Sequence, residues 1–160
     1  MKDEIRCSIE VREDESRMSP GRVVGEMITE GQRAGDRPEV FEKRAISWPE
    51  GGIVLNRQHD RKSPIMRVQP KRDGDRVLID QPLPNTAAGR DAAEEIRSGL
   101  FKGLSIEFRA TKQRFEGGLR RIGEAVLGGV ALVDSPSYAT SVEVREKADA
   151  DYYRRALTWL

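Results

Sequence analysis

"GLFKGLSIEF", residues 99–108, is the stretch that decides how this chain is read. Leu104, Ile106 and Phe108 alternate with Ser105 and Glu107, the period of two expected of a strand with one apolar face. Gly99 closes the segment before it, and Gly103 lets another part of the backbone come close at the strand start. A hydroxyl in such a run needs a partner, because desolvating it without a hydrogen bond costs roughly 1–3 kcal/mol. Ser105 is therefore either satisfied by the sheet or put to use.

Working outward, residues 87–98 (AAGRDAAEEIRS) predict an Ala-rich helix capped by Thr86 and ended by Gly99, with so small an apolar face that it should lie on a surface. On the other side, Gln113–Phe115 extends the strand, Gly117-Gly118 turns it, and Arg120–Val133 supplies one or two further strands. Ile53-Val54-Leu55 leads into Asn56-Arg57-Gln58-His59-Asp60, which leaves the chain's single histidine at a strand exit. Pro64–Val68 follows as a strand, and Lys71–Asp75 reads as a hairpin turn returning through Val77–Ile79. Val23–Ile28 and the alternating Ile5–Val11 are further strands, whereas residues 39–46 (EVFEKRAI) suit a short helix or an irregular turn. Ala150–Leu160 reads as a helix with Tyr153, Ala156, Leu157 and Leu160 on one side, packing on the sheet. The sum is an α+β domain, mostly antiparallel, with a barrel-like, partly closed sheet and a few surrounding helices. One domain over residues 1–145 and a charged linker with a short helix over 146–160 is the expected division.

Composition narrows the function. The chain has 160 residues, 34% charged and 37% hydrophobic, with 28 Lys+Arg against 27 Asp+Glu. Interleaved charges summing to +1 give no electrostatic footprint for nucleic acid. Nothing approaches 18 consecutive apolar residues, so no membrane span is expected. A lone Cys7 makes no internal disulfide, and the N-terminal MKDEIRCSIE has no apolar signal core; a reducing, cytoplasmic setting is the expectation.

One His and one Cys without clustered ligand spacing argue against a zinc-type metal site. No glycine cluster matches a phosphate or dinucleotide loop, so no cofactor is expected. Nucleophilic catalysis remains, in which a serine needs a base near its hydroxyl and a third group to orient that base. His59 is the base by elimination, although a lone histidine at a strand end is more often a plain surface residue. Ser105 is the distinguished serine, its bland alternative being a hydroxyl bonded to a nearby carbonyl; Cys7 reads as core. For the orienting acid, Asp60 points away from its neighbour His59 on an extended segment. Glu124, among small and apolar residues on the strand after the Gly117-Gly118 turn, is one candidate. Glu107, on the face of Ser105 by period two, and Glu116 are the alternatives.

Three blocks in this order, VLNRQHDRKSPIMRV (54–68), LPNTAAGRDAAEEIRSGLFKGLSIEFRA (83–110) and RRIGEAVLGGVALVDSPSY (120–138), resemble the prohead maturation proteases of tailed bacteriophages, relatives of the herpesvirus assemblins. The likeness runs from about Arg22 to Val144. It implies an assemblin-like fold and a serine endopeptidase with Ser105 as nucleophile, His59 as base and an acidic third member, for which Glu124 is the best match. The implied substrate is the scaffold segment of a major capsid protein precursor, cut inside the assembling procapsid in the host bacterial cytoplasm, with self-cleavage and a homo-oligomer as further expectations. Gly128-Gly129 would let a peptide N–H approach the oxyanion. The rival readings are a non-catalytic capsid assembly protein that keeps the fold, and a binding module in which His59 is incidental. The latter would be favoured if His59 and Ser105 lay more than about 8 Å apart with no mobile loop between them, since catalysis needs hydrogen-bond reach of about 2.6–3.2 Å.

Overall fold

The computed structural model describes residues 19–34, 37–136, 138 and 140–145. The strand expected at Ile5–Val11, with Cys7, and the helix expected at Ala150–Leu160 lie outside the described residues. In chain order the elements are β1 (Arg22–Thr29), β2 (Glu39–Phe41), β3 (Ile46–Ser47), β4 (Ile53–Arg57), β5 (Asp60–Val68), β6 (Lys71–Asp73), β7 (Arg76–Pro82), α1 (Ala87–Arg97), β8 (Gly103–Glu116), β9 (Leu119–Val133) and β10 (Glu143–Arg145).

The β8–β9 hairpin is the spine. Gly117 and Gly118 both have positive φ (59° and 78°), the backbone of a two-residue turn whose twist matches the strands it joins. From this turn the register runs back to Ser105↔Ala131 and Gly103↔Val133. The other edge of β9 takes β2, β3 and β4, all parallel, and β5 returns antiparallel on β4. A second sheet, in the order β10-β1-β7-β6, is antiparallel throughout.

The fold is thus α+β and rich in strands, as expected, but the two sheets do not close into a barrel; α1 is the only helix among the described residues. Of the two alternatives for residues 39–46 the helix fails: Glu39–Phe41 is β2 and Ile46–Ser47 is β3, with the irregular turn only between them, closed by the Ala45 N–H donating to the Glu42 carbonyl at 3.0 Å. Arg44, between them, has φ 66°, which a helix cannot accommodate, and Phe41 and Ile46 are buried against β9. The parallel pairs exist because these short strands reach β9 from the far side of the chain, which short-range periodicity does not reveal.

Phe41, Met27, Leu55, Ile79, Leu104, Ile122, Leu127 and Leu132 are fully buried, and each such side chain contributes about 1.5–3 kcal/mol on leaving water. Phe41 meets Phe108 edge-on at 5.0 Å between ring centres. α1 starts as expected, with the Thr86 hydroxyl accepting from the Gly89 N–H at 3.0 Å, and ends at Gly99 with φ 80°. It is less superficial than its composition suggests: Ala92, Ala93 and Ile96 are buried, small side chains letting the helix pack close.

Candidate active site

Ser105 and Glu107 stand two apart on β8 and therefore on one face of it. Strand geometry separates them by about 6.6–6.8 Å. That gap suits an imidazole with a hydrogen bond at each end, and His59 fills it. Its Nδ1 lies 2.8 Å from Glu107 Oε1 and its Nε2 lies 2.8 Å from Ser105 Oγ. A carboxylate only accepts, so Nδ1 carries the proton and Nε2 of the neutral ring accepts from the serine hydroxyl. This order of atoms is what a serine nucleophile with a general base and an orienting acid requires.

Each member is held by local structure. The fully buried Leu104 locks the backbone beside Ser105, and the Thr140 hydroxyl accepts from the Leu104 N–H (3.0 Å) and donates to its C=O (2.8 Å). Gly103 permits this, since a Cβ there would lie 2.5 Å from Thr140 Oγ1. His59 sits in the tight turn between β4 and β5, and both Gln58 (φ 50°) and His59 (φ 60°) are left-handed, a conformation that turns of this kind usually give to Asn or Gly. The turn is pinned on both sides. The Gln58 N–H donates to the Leu132 carbonyl at 2.9 Å, and Arg57 pairs with Glu95 of α1 at 2.6 Å.

The acids divide clearly. Glu107 reaches His59. Glu124 instead binds Lys112 Nζ at 2.9 Å, directly opposite it in the β8–β9 register, and the lysine's pKa is raised by that bond and charge. Glu116 pairs with Arg114 and Arg121 near the hairpin tip, and Asp60 accepts from the Lys62 N–H. The sequence-based choice of Glu124 is therefore not the carboxylate that meets the histidine. The period-two signal that set Glu107 on the face of Ser105 was the informative one.

A cavity of about 230 Å³ opens at the serine, lined by Arg37, His59, Ser105, Ile106, Phe108 and Tyr138. Burial and the Glu39 carboxylate hold the Tyr138 phenol above its usual pKa range, so at neutral pH it stays protonated and donates to Glu39. Arg37 rests over the Tyr138 ring, 5.9 Å from its centre. Neither residue was singled out from sequence, where each lies far along the chain from Ser105. A separate cavity of about 340 Å³ lies beside Glu107, lined by Val54, Asn56, Arg61, Glu107, Gly128 and Gly129. Gly128-Gly129, expected near the oxyanion, line this cavity and not the one that holds Ser105. Among the described residues no cluster of His, Cys, Asp and Glu suits a metal ion, and no helix is long and apolar enough to cross a membrane.

A serine, a histidine and a carboxylate in one hydrogen-bonded line are the arrangement that serine hydrolases use, and comparison with known families narrows the class. The family model for the caudovirus prohead serine protease matches residues 32–154. The chain belongs to that family, whose members are proteases of capsid maturation. Neither the curated proteins nor the solved structures gave a match.

Proposed function

We propose that this chain is the endopeptidase that cuts the scaffold segments of a phage capsid protein precursor, and itself, during procapsid maturation, with Ser105, His59 and Glu107 as its catalytic residues. The observation that carries the reading is the pair of 2.8 Å contacts joining Glu107, His59 and Ser105 in line. Ser105 Oγ attacks the scissile carbonyl carbon while His59 Nε2 takes its proton. Glu107 keeps the ring in the correct tautomer and stabilises the imidazolium that forms. The imidazolium then protonates the leaving amine, and water, activated by the same nitrogen, releases the acyl group from Ser105. Two strand residues and a pinned turn suit this chemistry, since small misplacements of the reacting groups lose large factors in rate.

The cavity at Ser105 is the place for the residues flanking the scissile bond, and Arg37 brings positive charge to it. In this reading residues 1–145 form the protease domain. The enzyme works within the procapsid in the host cytoplasm, needs no cofactor, and binds neither nucleic acid nor membrane. A homo-oligomer, and kinship of the fold with the assemblins, belong to the same proposal. The experiment is incubation of purified chain with capsid-protein precursor, followed by mass analysis. Discrete fragments formed by the wild type and absent with Ser105→Ala are expected. Intact precursor with both would leave the non-catalytic assembly protein as the better reading.

A further inference from the structure

We propose that Gly129 is a positioning residue: its missing side chain keeps open the space in which the Glu107 carboxylate meets His59. The inference rests on the reading of Glu107 as the third catalytic residue.

Gly129 lies in the interior of β9, followed by the buried Val130 and Ala131. Glycine inside a strand costs roughly 0.5–1 kcal/mol relative to alanine, so its presence needs a cause. Backbone conformation is not the cause, because Gly129 is absent from the glycines with positive φ. Space is. A Cβ built on Gly129 would stand 2.6 Å from Glu107 Oε2 and 3.3 Å from its Cδ, with the Val54 carbonyl at 3.5 Å. Glu107 and Gly129 are direct partners in the ladder, so the carboxylate folds back over a position of β9 that has no side chain. The register slips just beyond this pair, where Phe108 pairs with Leu127 and Gly128 is the extra residue. Bulges of this kind re-aim neighbouring side chains and recur beside active sites.

The clash would fall on the far end of a flexible side chain, so the fold loses little. The carboxylate must retreat by a large part of an ångström, and Oε1 leaves His59 Nδ1. A displacement of about 1 Å is enough to lose on the order of 10²-fold in rate. Gly128 provides the internal control, since a Cβ there meets only the Glu107 carbonyl at 3.9 Å, an ordinary contact.

Two readouts test this. His59 is the only histidine in the chain, so the low-field proton resonance of its hydrogen-bonded Nδ1–H is unambiguous. That resonance is expected in the wild type and in Gly128→Ala, and lost in Gly129→Ala and Glu107→Ala, with all four folded by circular dichroism. On capsid-protein precursor, Gly129→Ala should lower kcat by about 10–100-fold with KM unchanged, and have no further effect in the Glu107→Ala background. An intact resonance and wild-type kcat in Gly129→Ala would overturn the proposal, as would an equal loss of kcat in the Glu107→Ala background. Loss of the resonance in a chain that cleaves nothing would support Gly129 as the positioning residue while removing the protease reading.

Discussion

Glu30 and Glu107 each face a cation or its equivalent, and the two carboxylates are treated in opposite ways. Glu30 is 1% exposed and takes four donors: both terminal nitrogens of Arg72, the Arg44 N–H at 3.2 Å and the Ile46 N–H at 2.8 Å. Arg72 in turn donates to the Ile46 carbonyl and lies 5.7 Å from the centre of the Trp48 ring. This cluster ties β6 of one sheet to β3 of the other. Glu107 has a side chain 30% exposed and meets His59, itself 40% exposed, on a turn with strained backbone. A saturated carboxylate fixes structure because no change of protonation nearby can be answered. A carboxylate with one imidazole partner and an open cavity beside it is free to strengthen its bond as the ring gains a proton. Strain and incomplete satisfaction collect at working sites for this reason.

Breaking each side of the comparison has a different signature. The largest effect is on turnover: Ser105→Ala should abolish precursor cleavage while its urea midpoint stays near wild type, because a strand accepts alanine readily. Next comes Arg72→Met, which strands the buried Glu30 charge and should lower stability by about 3–5 kcal/mol in urea unfolding. Cleavage per folded molecule should persist in that variant. His59→Gly sharpens the contrast further. It removes a left-handed cost of roughly 1–2 kcal/mol and gives up about 0.5–1 kcal/mol through the unfolded chain. Stability should hold or rise slightly while cleavage disappears, a trade that the Glu30 cluster does not offer. The smallest effect belongs to Glu124→Gln, whose pair with Lys112 is exposed and should leave the urea midpoint at the wild-type value.

Much of this was legible in the residues themselves. Periodicity placed β1, β4, β5, β7 and β8, the Thr86 and Gly99 caps bounded α1, and Gly117-Gly118 set the hairpin turn that fixes the β8–β9 register. His59 stood out by elimination and Ser105 by the glycine before the strand, and it was the resemblance to the prohead proteases that joined them as base and nucleophile. What was not legible depends on partners distant in the chain. The strands at residues 39–41 and 46–47 exist because β9 offers them an edge. The choice between Glu107 and Glu124 turns on which of them faces the β4–β5 turn. Gly129 looks like an ordinary strand-weakening glycine until the carboxylate that occupies its space is seen.

The central claim is that Glu107, and not Glu124, completes the site with His59 and Ser105. It is tested most directly by purifying Glu107→Gln and Glu124→Gln, confirming their fold by circular dichroism, and comparing kcat on capsid-protein precursor at neutral pH. In the serine protease triad the equivalent loss of charge costs about 10⁴-fold, and a fall of that order is expected for Glu107→Gln, with Glu124→Gln close to wild type. A crippled Glu124→Gln beside an active Glu107→Gln would contradict the account.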